Sequence, residues 1–377
     1  MIWLSLFIPF LCSCVFFVWY KKKHEITTER ASVIFIVPTV AVALIIGFMY
    51  FIMIENNLSD VEYLNYHYTK IHHEDEWNER VWVTKTRTVR RGKHHYTETY
   101  RVQETRHHPD TWTGYLNDGK SIHISKSEYK HIKELWNVNE RFIDMHRHYY
   151  TIDGDAHECV WNGNINTLKP YVKENNYRNI IIGSETAFKF NEVTKEDAKV
   201  LGLYDYPSLD KHNEQNPIIG YKRFINPNDI KHFKRLNALN GYRKEITTFL
   251  LIYPNSSASI VEDQRSYWQG GNKNEFIICV GIDSLTNKVQ WSQCFSWLDD
   301  ITMEVECRNF INSQDKLNVV EISKWVSNHL HLWKRKEFND FSYLNVNLSD
   351  GQEIAILWTV IILSLLALGI AVIVNNE

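Results

Sequence analysis

Three long runs without a charged side chain constrain this 377-residue chain more than any other feature. They cover residues 1–20, 31–54 and 354–374. A helix needs about 20 apolar residues to cross the hydrocarbon core of a bilayer, and each run is long enough. Uncharged runs of this length rarely pack inside soluble domains, so the sequence predicts three transmembrane helices.

The first run has two alternative interpretations, a signal peptide or a retained helix. A signal peptide carries positive charge before its apolar stretch. Here the basic cluster follows the stretch, as Lys21, Lys22 and Lys23. We therefore interpret residues 1–20 as a retained membrane span.

The orientation of the chain follows from the connector KKKHEITTER, residues 21–30. Short loops rich in Lys and Arg stay in the cytoplasm, so Lys21, Lys22 and Lys23 are the expected topology determinants. This orientation places residues 55–352 outside the cytoplasm. We expect the protein to reside in the cytoplasmic (inner) membrane of a cell envelope.

Residues 55–190 are predicted to form a β-rich extracytoplasmic module. The segments TWTGYL and SIHIS flank NDG, which indicates a hairpin, and a helix is expected near residues 126–138. Residues 80–89 and 93–104 alternate at period two, as paired strands do.

The turn candidate RRGK joins those two strands. Pairing across Arg91 and Gly92 places Val89 opposite His94. Adjacent histidines on a strand point to opposite faces, so neither His94–His95 nor His107–His108 can chelate one ion alone. A metal site would need a further ligand, for example from HHEDE at 72–76, and we predict no metal site and no cofactor.

Residues 191–352 are predicted to form an α+β module in the order α-β-α-β-β-α. Asn226 as a cap, Pro227 at the first helical position and Gly241 past the end mark its first helix. The predicted fold class is therefore a membrane-anchored α+β protein with three transmembrane helices, a β-rich module and this second module.

The second module resembles the TPM domain family of membrane-anchored extracytoplasmic proteins. The resemblance covers residues 226–335 and is carried by TTFLLIYPN, VEDQRSYWQGGNKNEFIICVGID and KVQWSQCFSW. It implies an acidic residue set linked to metal or phosphate chemistry, for which Asp283, Asp299 and Asp300 are candidates. VQWSQCFSW lacks the glycine pair that the family often shows. The chain otherwise resembles envelope membrane proteins of bacteria and phages.

A basic surface is predicted between Arg80 and His108, where eight Lys and Arg face two Glu. Its expected members are Arg87, Arg90, Arg91, Lys93 and Arg101. One interpretation is an edge strand charged against aggregation. The other is a surface for an anionic partner, either anionic lipid, an envelope polymer or an acidic protein. The extracytoplasmic location disfavours nucleic acid.

Four cysteines lie in the exported part of the chain. Cys279 and Cys294 fall on adjacent strands of a predicted hairpin, and an oxidising compartment permits a disulfide between them. The alternative is that all four are buried thiols.

Common catalytic signatures are absent from the sequence, including GxSxG, HExxH and the phosphate-binding loop. We therefore expect a non-catalytic interaction or scaffolding module at the cell envelope. The alternative is a TPM-like extracytoplasmic hydrolase of the phosphatase type, or a metal-binding domain.

Overall fold

The computed structural model describes residues 11, 14, 15, 17–22, 28–144, 155–184, 190–207 and 216–376. The chain forms two compact units. The sheet unit consists of residues 62–175 and 191–335, and the helical unit comprises the remaining parts, up to residue 61, 176–190 and 336–377.

The helices of the described residues are, in chain order, α1 (Thr28–Leu58), α2 (Lys126–Trp136), α3 (Ile180–Gly183), α4 (Lys195–Leu201), α5 (Pro227–Lys244), α6 (Ile260–Tyr267), α7 (Thr302–Asn312), α8 (Val319–Asn328) and α9 (Asp350–Asn376). Two short 3-10 helices are Ile165–Thr167 and Phe338–Phe341.

The strands are β1 (Ser59–Glu74), β2 (Trp77–Arg91), β3 (His94–His108), β4 (Thr111–Leu116), β5 (Ser121–His123), β6 (Arg141–Asp144), β7 (Asp155–Val160), β8 (Pro170–Arg178), β9 (Ile218–Gly220), β10 (Thr247–Pro254), β11 (Glu275–Ile282) and β12 (Val289–Ser296).

The helical unit contains a pair of long apolar helices, α1 and α9, whose shared core includes Val42, Ile46 and Val360. Asn57 lies in the last turn of α1, and Gln352 lies in the first turn of α9. Their side-chain amides exchange two hydrogen bonds of 2.8 Å. The C-terminal end of α1 therefore meets the N-terminal end of α9, and the two helices run antiparallel.

Two helices of the described residues are long and apolar enough to span a membrane, judged by length and composition. The qualifying segments are Thr39–Leu58 and Asp350–Ala367. They overlap the predicted transmembrane helices at 31–54 and 354–374. The third predicted span, residues 1–20, lies mostly outside the described residues, as does Lys23 in the basic connector.

A six-stranded sheet forms the first part of the sheet unit, in the order β5-β4-β1-β7-β6, with β8 also paired to β1. Its core contains Tyr68, Ile71, Ile132 and Trp136, each at most 2% exposed. The predicted helix near 126–138 is α2, and the predicted NDG hairpin joins β4 to β5, so both expectations are confirmed.

The strands β2 and β3 form a two-stranded sheet of their own, which we call the ribbon. The predicted hairpin is present, but its register differs by two residues: Val89 lies opposite Tyr96, and Arg91 lies opposite His94. The loop is Gly92 and Lys93 rather than Arg91 and Gly92, because Gly92 supplies the positive φ (+64°) at the first loop position.

A four-stranded sheet, β12-β11-β10-β9, forms the second part of the sheet unit. β9, β10 and β11 are parallel, and β12 closes an antiparallel hairpin with β11. Alternate side chains of β10 enter two cores, one with α5, α7 and α8 and one with α6. The order α-β-α-β-β-α is present from α5 to α8, with α7 as an additional helix before α8. Within residues 191–352, α4 and β9 precede this order and were not predicted.

The predicted module boundary at residue 190 separates the two sheets but does not separate two compact units. β1 packs directly on α5, since a Cβ on Gly241 would lie 2.5 Å from the backbone oxygen of Asn65. The Asn65 amide donates to Thr247 over 2.7 Å, and His67 contacts the backbone oxygen of Ala238 over 3.0 Å. These buried contacts join both sheets in one unit.

Cys279 and Cys294 are free thiols, so the predicted disulfide between them is wrong. In the register of the hairpin, Cys279 lies opposite Gln293 and Cys294 lies opposite Ile278. The two cysteines therefore point to opposite faces of the sheet, because side chains alternate along a strand. Burial raises the pKa of both thiols.

Candidate functional site

The two faces of the ribbon differ in their charges, because residues that lie opposite each other in the register share a face. Among the described side chains of one face, the cations Lys85, Arg87 and Arg106 stand against three carboxylates, those of Glu79, Glu98 and Glu104. We call this the carboxylate face. Its ion pairs join Lys85 to Glu104 over 2.5 Å and Arg87 to Glu98 over 2.9 Å.

The opposite face, which we call the threonine face, has three cations and, between Asn78 and Arg90 and between His95 and His107, no carboxylate. Apart from the half-buried Asn78 at its root, every described side chain on this face is exposed. Its exposed members are Arg80, Trp82, Thr84, Thr86, Thr88, Arg90, His95, Thr97, Thr99, Arg101, Gln103, Thr105 and His107.

The structure divides the predicted basic surface between these faces. Arg90 and Arg101 lie on the threonine face, and the exposed Lys93 lies in the loop. Arg87 lies on the carboxylate face, where both its Nε and an Nη donate to Glu98. Arg91 is placed by the register opposite His94, and its side chain is outside the described part of the structure.

The three cations of the threonine face are widely spaced. Arg80 and Arg101 lie opposite Thr105 and Thr84, and Arg90 lies opposite His95. At about 3.3 Å per residue, these positions place the cations about 13 Å and then about 20 Å apart along the ribbon. Each gap exceeds the screening length of about 8 Å at physiological ionic strength. Only an extended anion can therefore contact all three.

A separate group of side chains lies where the ribbon joins the six-stranded sheet. Asp75 lies in the link from β1 to β2, and Asp110 lies in the link from β3 to β4. Nε2 of His73 is 3.4 Å from Asp75 Oδ1 and 3.5 Å from Asp110 Oδ1. His157 on β7 contacts the other Asp75 oxygen over 3.1 Å. We call these four residues the root cluster.

The root cluster contains neither of the histidine pairs, His94–His95 and His107–His108, that were considered from the sequence as metal ligands. His107 and His108 contact Glu76 and Glu79 over 3.9 Å and 3.2 Å, outside the cluster. The segment HHEDE does contribute, through His73 and Asp75. The sequence contains no spacing signal for Asp110 and His157, because β4 and β7 pair with β1 only in the folded sheet.

The three acidic candidates suggested by the TPM resemblance each act locally. Asp283 accepts hydrogen bonds from the hydroxyl of Thr286 and from the backbone of Thr286 and Leu285, which lower the pKa of its carboxyl. Asp300 likewise accepts hydrogen bonds from the hydroxyl and the backbone of Thr302. Asp299 forms an ion pair with Lys334 over 3.1 Å. Within the described ranges, no metal-ligand group forms at this sheet.

Comparisons with protein-family models, with curated proteins and with solved structures found no match to this chain.

Proposed function

We propose that this protein is a membrane-anchored, non-catalytic interaction protein whose ribbon binds an extended anionic partner at the outer surface of the cytoplasmic membrane. The observation that carries the proposal is the charge asymmetry of the ribbon. Among the described side chains, the carboxylate face carries three cations and three acids, whereas the threonine face carries three cations and no acid.

The composition of the threonine face indicates the kind of anion. Six threonine hydroxyls lie between the cations, and the exposed indole of Trp82 lies beside them. Hydroxyl and guanidinium groups donate hydrogen bonds to phosphate and carboxylate oxygens. The wide spacing of the cations favours a linear polymer with repeated anionic groups over a compact ligand. An anionic lipid surface and an acidic protein are the competing partners.

Membrane anchoring is supported by the exposure of the helical unit. Leu44, Phe48 and Leu365 are each 64–70% exposed, on helices with mean hydropathies of 1.9 and 1.5 in their apolar segments. Soluble proteins rarely expose such extensive apolar surface. The antiparallel pairing of α1 and α9 is consistent with a connecting segment that starts and ends on one side of the membrane.

We further propose that residues 1–20 form a third span and that residues 55–352 lie outside the cytoplasm. A protease site inserted at residue 119, in the loop between β4 and β5, should be cut from outside in intact spheroplasts. Protection of that site would refute the orientation. Replacing Lys21, Lys22 and Lys23 by Gln should reduce the fraction of cut molecules, because the orientation depends on these charges.

The partner proposal is tested by binding to the full-length protein in nanodiscs of neutral lipid. A long-chain polyphosphate serves as the linear polyanion, and vesicles with anionic lipid serve as the competing surface. The double variant R90Q/R101Q should weaken polyphosphate binding at least tenfold. R87Q should weaken it less than threefold, because Glu98 already neutralises Arg87.

The salt dependence provides a second readout. Binding should weaken as salt rises, and the slope should fall in R90Q/R101Q, because each cation that contacts the polymer releases counterions from it. Equal losses in R87Q and R90Q/R101Q would refute a face-specific site. Tighter binding to anionic vesicles than to polyphosphate would instead assign the surface to lipid.

A further inference from the structure

The root cluster lies where the ribbon is connected to the six-stranded sheet. The two links that connect the ribbon to the sheet run side by side, since Glu74 at the end of β1 pairs with Thr111 at the start of β4. Asp75 belongs to one link and Asp110 to the other. A ligand bound to both carboxylates would therefore connect the two links through which the chain enters and leaves the ribbon.

The imidazole of His73 is fixed in its orientation. Its ring stacks on Trp112 with centroids 5.0 Å apart and planes 9° apart, and it contacts the rings of Tyr129 and His157 at 5.8 Å and 5.9 Å. Nε2 is buried and makes no hydrogen bond within the described residues. A buried nitrogen that makes no hydrogen bond destabilises the fold, so a ligand at this atom would be stabilising.

The distances around Nε2 suit a metal ion better than a direct hydrogen bond. The contacts of 3.4 Å and 3.5 Å to the two carboxylates are longer than the usual 2.7–3.2 Å of an N–H···O bond. Zinc bound tetrahedrally at about 2.0–2.1 Å from each ligand places neighbouring ligand atoms about 3.3 Å apart. The two distances from His73 Nε2 to the carboxylates are close to that value, and the three ligand atoms all lie within 4.8 Å of one another.

The carboxylates of the cluster are themselves held in place. Asp110 Oδ1 accepts a hydrogen bond of 2.8 Å from the backbone of Glu76. Asp75 has Oδ1 toward His73 and Oδ2 toward His157. Hydrogen bonds of this kind orient carboxylate ligands and increase the affinity of metal sites.

We propose that His73, Asp75 and Asp110 bind one divalent transition-metal ion, with Zn²⁺ as the expected ion. His157 orients Asp75 from outside the coordination sphere, and water completes the coordination. One imidazole and two carboxylates are ligands that Zn²⁺ accepts. The ion joins the end of β1 to both links and so fixes the ribbon to the six-stranded sheet. This site is independent of the anion that the ribbon binds.

The test uses the full-length protein in nanodiscs, stripped of metal and titrated with Co²⁺ as a spectroscopic probe and then with Zn²⁺ in competition. One equivalent of Co²⁺ should produce visible ligand-field absorption, and Zn²⁺ should abolish it. D110N should raise the dissociation constant for Zn²⁺ at least tenfold and H73Q at least a hundredfold. H157Q should raise it about tenfold, as loss of an outer partner does.

The matched control is E79Q. Glu79 lies 3.2 Å from His108, and this change removes the carboxylate from that pair. This pair lies outside the three-residue group, so E79Q should leave the dissociation constant unchanged. The control matters because the chain has 17 histidines, several of which are exposed. Circular dichroism of each variant checks that the fold is retained.

Three results would overturn the proposal. The first is failure of the wild-type protein to bind Co²⁺ or Zn²⁺ at neutral pH. The second is unchanged Zn²⁺ affinity in folded D110N or H157Q. The third is an equal loss of affinity in E79Q and D110N, which would assign the binding to scattered surface histidines.

Discussion

The ribbon and the interior of the sheet unit place their charged side chains in opposite environments. In the ribbon, Arg87 and Glu98 are 61% and 54% exposed, and their ion pair is solvated. In the interior, the side chain of Glu62 is 2% exposed and contacts Lys273 and Arg335. Exposed pairs contribute about 0–1 kcal/mol to stability, whereas removal of one partner from a buried pair costs several times more.

This difference shows which charges contribute most to the stability of the fold. Glu62 also accepts a hydrogen bond of 2.7 Å from Asn175, so its carboxylate joins β1, β8 and the second part of the unit. The ribbon depends on its own cross-strand pairs and loses little when one charge is changed. Substitution of a single ribbon cation should therefore leave the fold intact.

Substitution at Glu62 should produce the largest effect on stability. E62A leaves Lys273 and Arg335 without the carboxylate between them, and we expect a loss of about 3–5 kcal/mol. The matched change in the ribbon, E98A, should cost less than about 1 kcal/mol. Denaturant unfolding of the full-length protein, followed by tryptophan fluorescence, measures both. Similar losses in the two variants would contradict the comparison.

The pH dependence of stability should show a smaller effect, from Glu304 on α7. Burial raises the pKa of this carboxyl to about 7, although the charge of Arg265 acts in the opposite direction. In the unfolded chain a Glu titrates near pH 4.3. Between these two pH values the carboxyl of Glu304 is ionised in the unfolded chain but protonated in the folded protein. The contribution of Glu304 is therefore fully present below about pH 4 and is lost as the pH rises through about 7.

The measurement is the free energy of unfolding at pH 5 and at pH 7, for the wild-type protein and for E304Q. The fall in stability between these pH values should be smaller in E304Q, by on the order of 1–2 kcal/mol. The matched control is E306Q, a change at an exposed residue of the same helix, and its pH dependence should equal that of the wild type. An unchanged slope in E304Q would show that Glu304 is ionised in the fold.

Several elements could be predicted from the sequence because their signals are local. Helix α5 begins at Pro227 as predicted, after Asn226, whose side chain forms a capping box with Asp229. The predicted end at Gly241 is wrong, because the helix continues to Lys244. The ribbon follows from alternating residues around a glycine turn, and the assignment of its residues to two faces follows from the same period. The two-residue error in register came from the choice of loop, yet it preserved the faces.

The root cluster and the buried ion pairs could not be predicted in the same way. His157 approaches Asp75 only because β1 pairs with β7, and Asp110 approaches because β1 pairs with β4. The predicted disulfide failed for a related reason, since adjacent strands alone do not reveal which faces Cys279 and Cys294 occupy. Both features depend on strand order and register, which involve residues far apart in the chain.

The sequence by itself determined the apolar helices, the order of elements from α5 to β12 and the alternation of the ribbon. Each of these depends on residues within one or two turns of a helix or a few steps of a strand. Only the tertiary structure decided that both sheets belong to one compact unit, that Glu62 is buried and that four side chains meet at the ribbon's root. These features require contacts whose location is set by how the buried faces of distant elements pack together.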